Sequence, residues 1–303
     1  MPDLRSLPKL RDSLSYLYVE HAVLEREASG LQVLQETGAT LVPTANLCVL
    51  LLGPGTSITH AAVALLAETG TSMVWVGEEG AKYYANGCGE THRAYHLLQQ
   101  IRLACDPEKH LQVVIRLYAK RFDQPLPENL SIEQLRGIEG ARVRTVYANA
   151  SRKYGVPWTG RNYDRSNWQN ADPINRSLSA ANAVLNGICH AAIVSGGYSP
   201  AVGFIHTGRQ TSFVYDVADL YKSLFTIPIA FQIAAESPHD VERRARQECR
   251  EAFREAKLLK QILPDIDEIL ETTSEGDWQE DVEQALPAPL WDEADEEIDE
   301  GVT

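Results

Sequence analysis

Between residues 14 and 52 the apolar positions fall in short runs rich in β-branched and aromatic residues, SYLYVEH, AVLERE and LQVLQE, broken by turn signals at Ala28-Ser29-Gly30 and Thr37-Gly38. Apolar and polar residues alternate in AVLERE and LQVLQE, the period of strands with one wet face, so the stretch predicts a meander. After Gly53-Pro54-Gly55-Thr56 the period lengthens in ITHAAVALLAETG, one helix ended by Gly70, before SMVWVG and AKYYANG return to strand character. Residues 1–88 therefore read as a small β-rich domain with an embedded helix.

From Glu90 onward apolar residues recur every three to four positions. THRAYHLLQQIRLACD, EKHLQVVIRLYAKRFD, SIEQLRGIEGARVRTVYANASRKYG, NRSLSAANAVLNGICHAAIVSGG and HDVERRARQECREAFREAKLLKQIL each predict a helix, several with a capping Ser, Thr, Asn or Asp near the start. Residues 89–271 are thus expected to form a helical domain, making the chain α+β. PWTGRNYDRSNWQNAD interrupts it as an aperiodic aromatic and polar loop, long enough to be functional. Residues 272–303 mix acid with Pro287-Ala288-Pro289 and two isolated tryptophans, Trp278 and Trp291. That composition suits either a flexible tail or a segment that docks on a partner.

Charge changes the picture. The net charge of −14 argues against a polyanion partner, but 16 acidic and no basic residues follow Leu263. Residues 1–264 hold 28 basic against 26 acidic groups, and the excess of base lies after residue 90. The middle of the chain is therefore where a nucleic-acid surface is expected. The five cysteines are odd in number and include no close pair, which suggests neither a disulfide framework nor a zinc site and points to a reducing compartment. A polar N-terminus and an apolar run of only Leu47 to Leu52 predict a cytoplasmic protein with no membrane partner.

Two clusters could carry chemistry. In QLRGIEGARVR, Glu139 sits between two helix-interior glycines, Gly137 and Gly140, which cost about 1 kcal/mol each relative to Ala and so ask for a reason, such as close approach of a backbone or ligand. The other reading of Glu139 is a surface ion pair. In FIHTGRQTSFVYDVADLYK, a Gly turn could fold His206 back towards Asp216 and Asp219, which share a helical face. One imidazole with carboxylates makes a hard site suited to Mg(II) or Mn(II), whereas the structural alternative is a buried His paired with a capping Asp. Arg243, Arg246 and Arg250 share one helical face, either for phosphates or as a solvated surface. Gly53-Pro54-Gly55-Thr56 lacks a following Lys and does not read as a nucleotide-binding loop.

Taken in order, LGPGTSITHAAVALLAETGTSMVWVGEEG, EQLRGIEGARVR, SAANAVLNG with Asn182, GYSPAVGFIHTGRQTSFVYDVADL and the arginine helix resemble the CRISPR-associated integrase and endonuclease family of the adaptation module, in its subtype I-E form. The resemblance spans about residues 10–264. It implies a small N-terminal β-sandwich-like domain used for dimerisation and a larger all-helical C-terminal catalytic domain. It further implies a homodimer and a four-plus-two complex with a small adaptation partner.

The family's metal ligands fall on Glu139, His206 and Asp216, with Asp219 a further catalytic acid, for Mg(II) or Mn(II). The implied reaction inserts a short DNA with frayed or single-stranded 3′ ends into CRISPR repeat DNA by attack of its 3′-hydroxyl. DNA contacts would fall on His21, Arg136, Arg144, Tyr163, Trp168, Arg209, Arg243, Arg246 and Arg250. His21, Asn186 and Ser57 depart from residues found in other members, a Tyr, a Tyr and a basic residue. The alternative from another class is a non-catalytic DNA-binding scaffold subunit of the same assembly.

Overall fold

The structure, a computed structural model, describes residues 15–28, 30–44, 47–78, 82–87, 94–122, 130–161 and 172–271. The acidic tail of residues 272–303 and most of the aromatic loop after Arg161 lie outside them.

The N-terminal part runs β1 (Ser15–Val19), β2 (Val23–Glu27), β3 (Gly30–Gln35), β4 (Gly38–Pro43), β5 (Leu47–Leu52), β6 (Ser57–Ile58), α1 (His60–Glu68), β7 (Ser72–Val76) and β8 (Tyr83–Gly87). These strands form two four-stranded sheets, ordered β1-β5-β7-β8 and β4-β3-β2-β6. The expected meander is real for β2, β3 and β4, which pair antiparallel. It does not include β1, which crosses to the other sheet and pairs parallel with β5. The reason lies in LCVLLL of β5, a continuous apolar run that belongs between two parallel neighbours with both faces covered, here β1 and β7. Thr59 caps α1 by accepting from Ala62 N, and Gly70 closes it at φ +62°. Leu24 and Leu31 from one sheet, Leu50 and Leu52 from the other, and Ala62 and Leu66 of α1 share one buried core.

The C-terminal part is helical: α2 (Tyr95–Cys105), α3 (Pro107–Ala119), α4 (Ile132–Tyr154), α5 (Pro173–Ser195), α6 (Ser212–Ala218), α7 (Thr226–Glu236), α8 (Val241–Glu255) and α9 (Leu258–Leu270). Local chemistry starts and stops these helices. Ser131 and Gln134 form a reciprocal capping box on α4, and Gly155 ends it in the left-handed region at φ +67°. Asp172 accepts from Asn175 N ahead of Pro173 at the first turn of α5. By length and composition α5 could cross a bilayer, but it is mostly buried as the central core helix, packed by α6, α7, α8 and α9. Its C-terminal half also meets the strands, where Ala191 and Val194 pack on Val49, Val74 and Val76.

The arginine-rich segment expected as one helix is two. Lys257 turns left-handed at φ +52°, which ends α8 and swings Leu258, Leu259, Ile262, Ile266 and Ile269 of α9 into the main helical core. No Gly or Pro marks this break. Two further helices, α6 and α7, complete the packing around α5.

Candidate cation and nucleic-acid site

The loop before α6 is shaped by Asp216. Gly203 admits the tight path, since a Cβ there would lie 2.2 Å from the His206 carbonyl oxygen and 2.8 Å from Ser212 Cβ. The closed loop aims three amides at one carboxylate: Asp216 Oδ2 accepts from Phe204 N at 2.6 Å and Ile205 N at 3.1 Å, and Oδ1 accepts from His206 N at 2.9 Å. Oδ1 also lies 2.7 Å from His206 Nδ1. Asp216 is fully buried, whereas the His206 side chain is 42% exposed. The aspartate thus fixes the ring and leaves Nε2 as the nitrogen open to a ligand.

Asp219, one helical turn on, faces a different neighbourhood. Its Oδ1 is 2.5 Å from Lys222 Nζ and its Oδ2 3.6 Å from Arg121 Nη1. Burial works to raise its pKa, but Lys222, Arg121 and, more weakly, His206 outweigh that and hold the carboxyl below the usual range. The same Arg121 Nη1 is 3.6 Å from Glu139 Oε1. Glu139, from α4, also accepts both arms of Arg142, from Nε at 2.8 Å and Nη2 at 3.1 Å. Arg121 is itself buried, its guanidinium over the Tyr118 ring and donating to the Asp216 carbonyl. Two carboxylates thus converge on one buried cation beside an oriented imidazole.

The structure brings Glu139, His206, Asp216 and Asp219 into one neighbourhood, with the two aspartates in different surroundings. Both Asp216 oxygens are engaged by amides and the imidazole, and Asp219 is the acid that shares Arg121 with Glu139. Of the two readings of the His206 segment, the pairing with an aspartate is present, though the ring is 42% exposed and only Asp216 is buried. Glu139 does form the ion pair with Arg142, though at 14% exposure it is not a surface one. Among the described residues no three His, Cys, Asp or Glu side chains stand together closely enough to hold an ion as they are.

Arg136 and Arg144 are exposed on α4 and bracket Gly140 at one-turn spacings. Among the described residues none makes the expected close approach to Gly137 and Gly140: none lies within 4 Å of a Cβ at Gly137, and at Gly140 only the Arg144 guanidinium does, at 3.6 Å. Arg209 is exposed beside Gly208. His21 is exposed in the strand-rich part, in a left-handed turn at φ +49° that lays its ring against Gly55. On α8, Arg243 is 66% exposed, Arg246 is half-buried, and Arg250 buries its Nε, so the arginine stripe is not uniformly open. Tyr163 and Trp168 lie outside the described residues. Trp158, from the start of that loop, stacks on Tyr147 at 4.5 Å and is an internal anchor. Sequence reasoning missed Arg121 and Lys222. Lys222 stands three residues after Asp219, a readable signal, whereas the burial of Arg121 has none in the sequence.

Residues 116–250 match the family model described as CRISPR associated protein Cas1. The chain is 53% identical to CRISPR-associated endonuclease Cas1 2 of Thermus thermophilus, over 99% of this chain and 93% of that protein. It is 47% identical to CRISPR-associated endonuclease Cas1 of Geobacter sulfurreducens, over 89% of this chain and 88% of that one. Among solved structures, that of a TtCas1-DNA complex superposes with a TM-score of 0.81 at 56% identity, covering 88% of this chain and all of that one.

Proposed function

This chain belongs to the Cas1 family of CRISPR-associated endonucleases, and from that premise we propose that it is a cation-dependent DNA integrase of subtype I-E adaptation. It joins a short DNA to a CRISPR repeat: the 3′-oxygen of the incoming strand bonds to a repeat phosphorus, and the bond from that phosphorus to the repeat's own 3′-oxygen breaks. The observation that carries this reading is the convergence of Glu139 and Asp219 on Arg121 beside His206.

The donor set fits a hard divalent ion. Two carboxylates already face a shared positive charge, and a half-exposed imidazole stands beside them with its Nε2 open. Glu139, Asp219 and His206 would hold Mg(II) or Mn(II). Such an ion supplies positive charge to a phosphodiester and acidifies a hydroxyl. The chain's own residues do the rest. Asp216 keeps His206 in one tautomer and orientation. Arg142 and Lys222, at the rim, can meet phosphate oxygens. Arg136, Arg144 and Arg209 present exposed cations, and the bare strip at Gly137 and Gly140 lets a nucleic-acid backbone come close to α4. The DNA in the TtCas1 complex supports the same partner for this chain. Homodimer formation, the small partner in a four-plus-two complex and a cytoplasmic location belong to the same proposal.

The test is strand transfer of a short duplex into a repeat-bearing plasmid with Mn(II) or Mg(II), with and without the small partner. Joined product that disappears on chelation and in His206→Ala is expected. Metal-independent product, or DNA binding with no product under any of these conditions, contradicts it.

A further inference from the structure

In the free chain every oxygen of the two converging carboxylates faces a cation. Arg142 takes both oxygens of Glu139, Arg121 approaches Oε1 as well, and Asp219 divides its oxygens between Lys222 and Arg121. With Asp216 included, three carboxylates meet three basic groups, so a divalent ion entering this cluster finds no negative charge left over. The three cations differ in freedom. Arg121 is 3% exposed and fixed beneath the site, whereas Arg142 and Lys222, at 20% and 29%, stand at its rim. Rim cations are the groups that an arriving phosphate diester attracts, and each one that turns to a phosphate returns carboxylate lone pairs to the site.

We propose that DNA and the divalent cation bind this chain cooperatively, because Arg142 and Lys222 are shared between the carboxylates in the free state and phosphate oxygens in the DNA-bound state. The proposal rests on the cation reading above and deepens it: the site is self-neutralised, and DNA is what opens it to metal. Linkage requires the converse too, so the cation tightens DNA binding by the same factor.

The experiment measures Mn(II) affinity of the full chain by electron paramagnetic resonance of free Mn(II), at fixed ionic strength. It compares no DNA with a saturating short duplex whose 3′ ends lack hydroxyls, so that no reaction intervenes. Glu139→Gln under both conditions subtracts Mn(II) bound to DNA alone. The expected result is site-specific Mn(II) binding about tenfold tighter or more with DNA, within the usual 5- to 150-fold range of coupled sites. Arg142→Gln, checked for folding by circular dichroism, should bind Mn(II) more tightly without DNA and lose most of the DNA effect. A second readout needs no variant: duplex affinity of the unaltered chain, by fluorescence anisotropy, should rise by the same factor when Mn(II) is added. Equal Mn(II) affinity with and without DNA overturns the coupling while leaving the cation site standing. No difference between the unaltered chain and Glu139→Gln in either state overturns the cation site itself.

Discussion

Asp216 Oδ1 lies 2.7 Å from His206 Nδ1, and the same fully buried carboxylate gathers the amides of Phe204, Ile205 and His206. Hydrogen bonds to a charged acceptor contribute about 1.5–3 kcal/mol each, and buried amides left without one cost about 1–3 kcal/mol each. Asp216→Ala should therefore destabilise the chain by on the order of 3 kcal/mol or more, read as a drop in denaturation midpoint. Asp219→Asn should abolish strand transfer and, because it also removes the carboxylate paired with Lys222 and the buried Arg121, lower the midpoint as well. If Asp216→Ala is as stable as the parent, the loop is not held as described.

The glycines of α4 make a prediction with opposite signs for stability and function. Among the described residues none crowds a Cβ at Gly137, and Gly140 has only an ordinary contact. Alanine at each position should add about 0.5–1 kcal/mol to stability through helix propensity. If the bare strip serves DNA, the double variant should melt higher yet bind duplex more weakly. Unchanged DNA affinity would remove the strip from the interface.

On α8, Arg243 is open to solvent, whereas Arg244 is tied to the carbonyls of Ile233 and Ser237 and to Glu236. Arg243→Ala with Arg246→Ala should weaken duplex binding and lower the slope of log affinity against log salt by about 2. Arg244→Ala should lower thermal stability and leave the slope alone. A salt response that ignores the first pair would show that α8 does not face phosphate.

His190 gives the chain an acid limit. It is buried under Tyr83, with ring centroids 3.5 Å apart, and burial pushes its pKa down to about 4 from the usual 6.5. The unfolded chain takes up this proton at a higher pH than the folded one, so the contribution is fully present above pH 6.5 and is lost as pH falls towards 4. The slope from this one group is up to about 1.4 kcal/mol per pH unit. Melting temperatures of the parent and His190→Phe between pH 7 and 4 should converge or cross as pH falls; parallel curves would deny His190 the role.

Much of this architecture is legible in local chemistry. The capping box of Ser131 and Gln134, Gly155 and Gly70 at helix ends, and the alternation in β2 and β3 each act within a few residues. What is not legible depends on partners distant in sequence. Parallel pairing of β1 with β5 is decided across the sheet, and the break at Lys257 by where α9 buries its leucines and isoleucines. The site follows the same rule. Spacing identifies Asp216 and Asp219 as a pair on one face, but cannot say which is buried against amides and which shares Arg121 with Glu139. Only the folded position of Arg121, brought from the end of α3, separates them.

The most direct measurement is a crystal of the chain with a non-reactive duplex, soaked in Mn(II) and examined by anomalous scattering. The account predicts one peak between Glu139, Asp219 and His206 Nε2, with Arg142 turned towards a phosphate and Asp216 still holding the three amides. An ion bound by Asp216, or Glu139 and Asp219 still closed on their arginines with no ion between them, would contradict it.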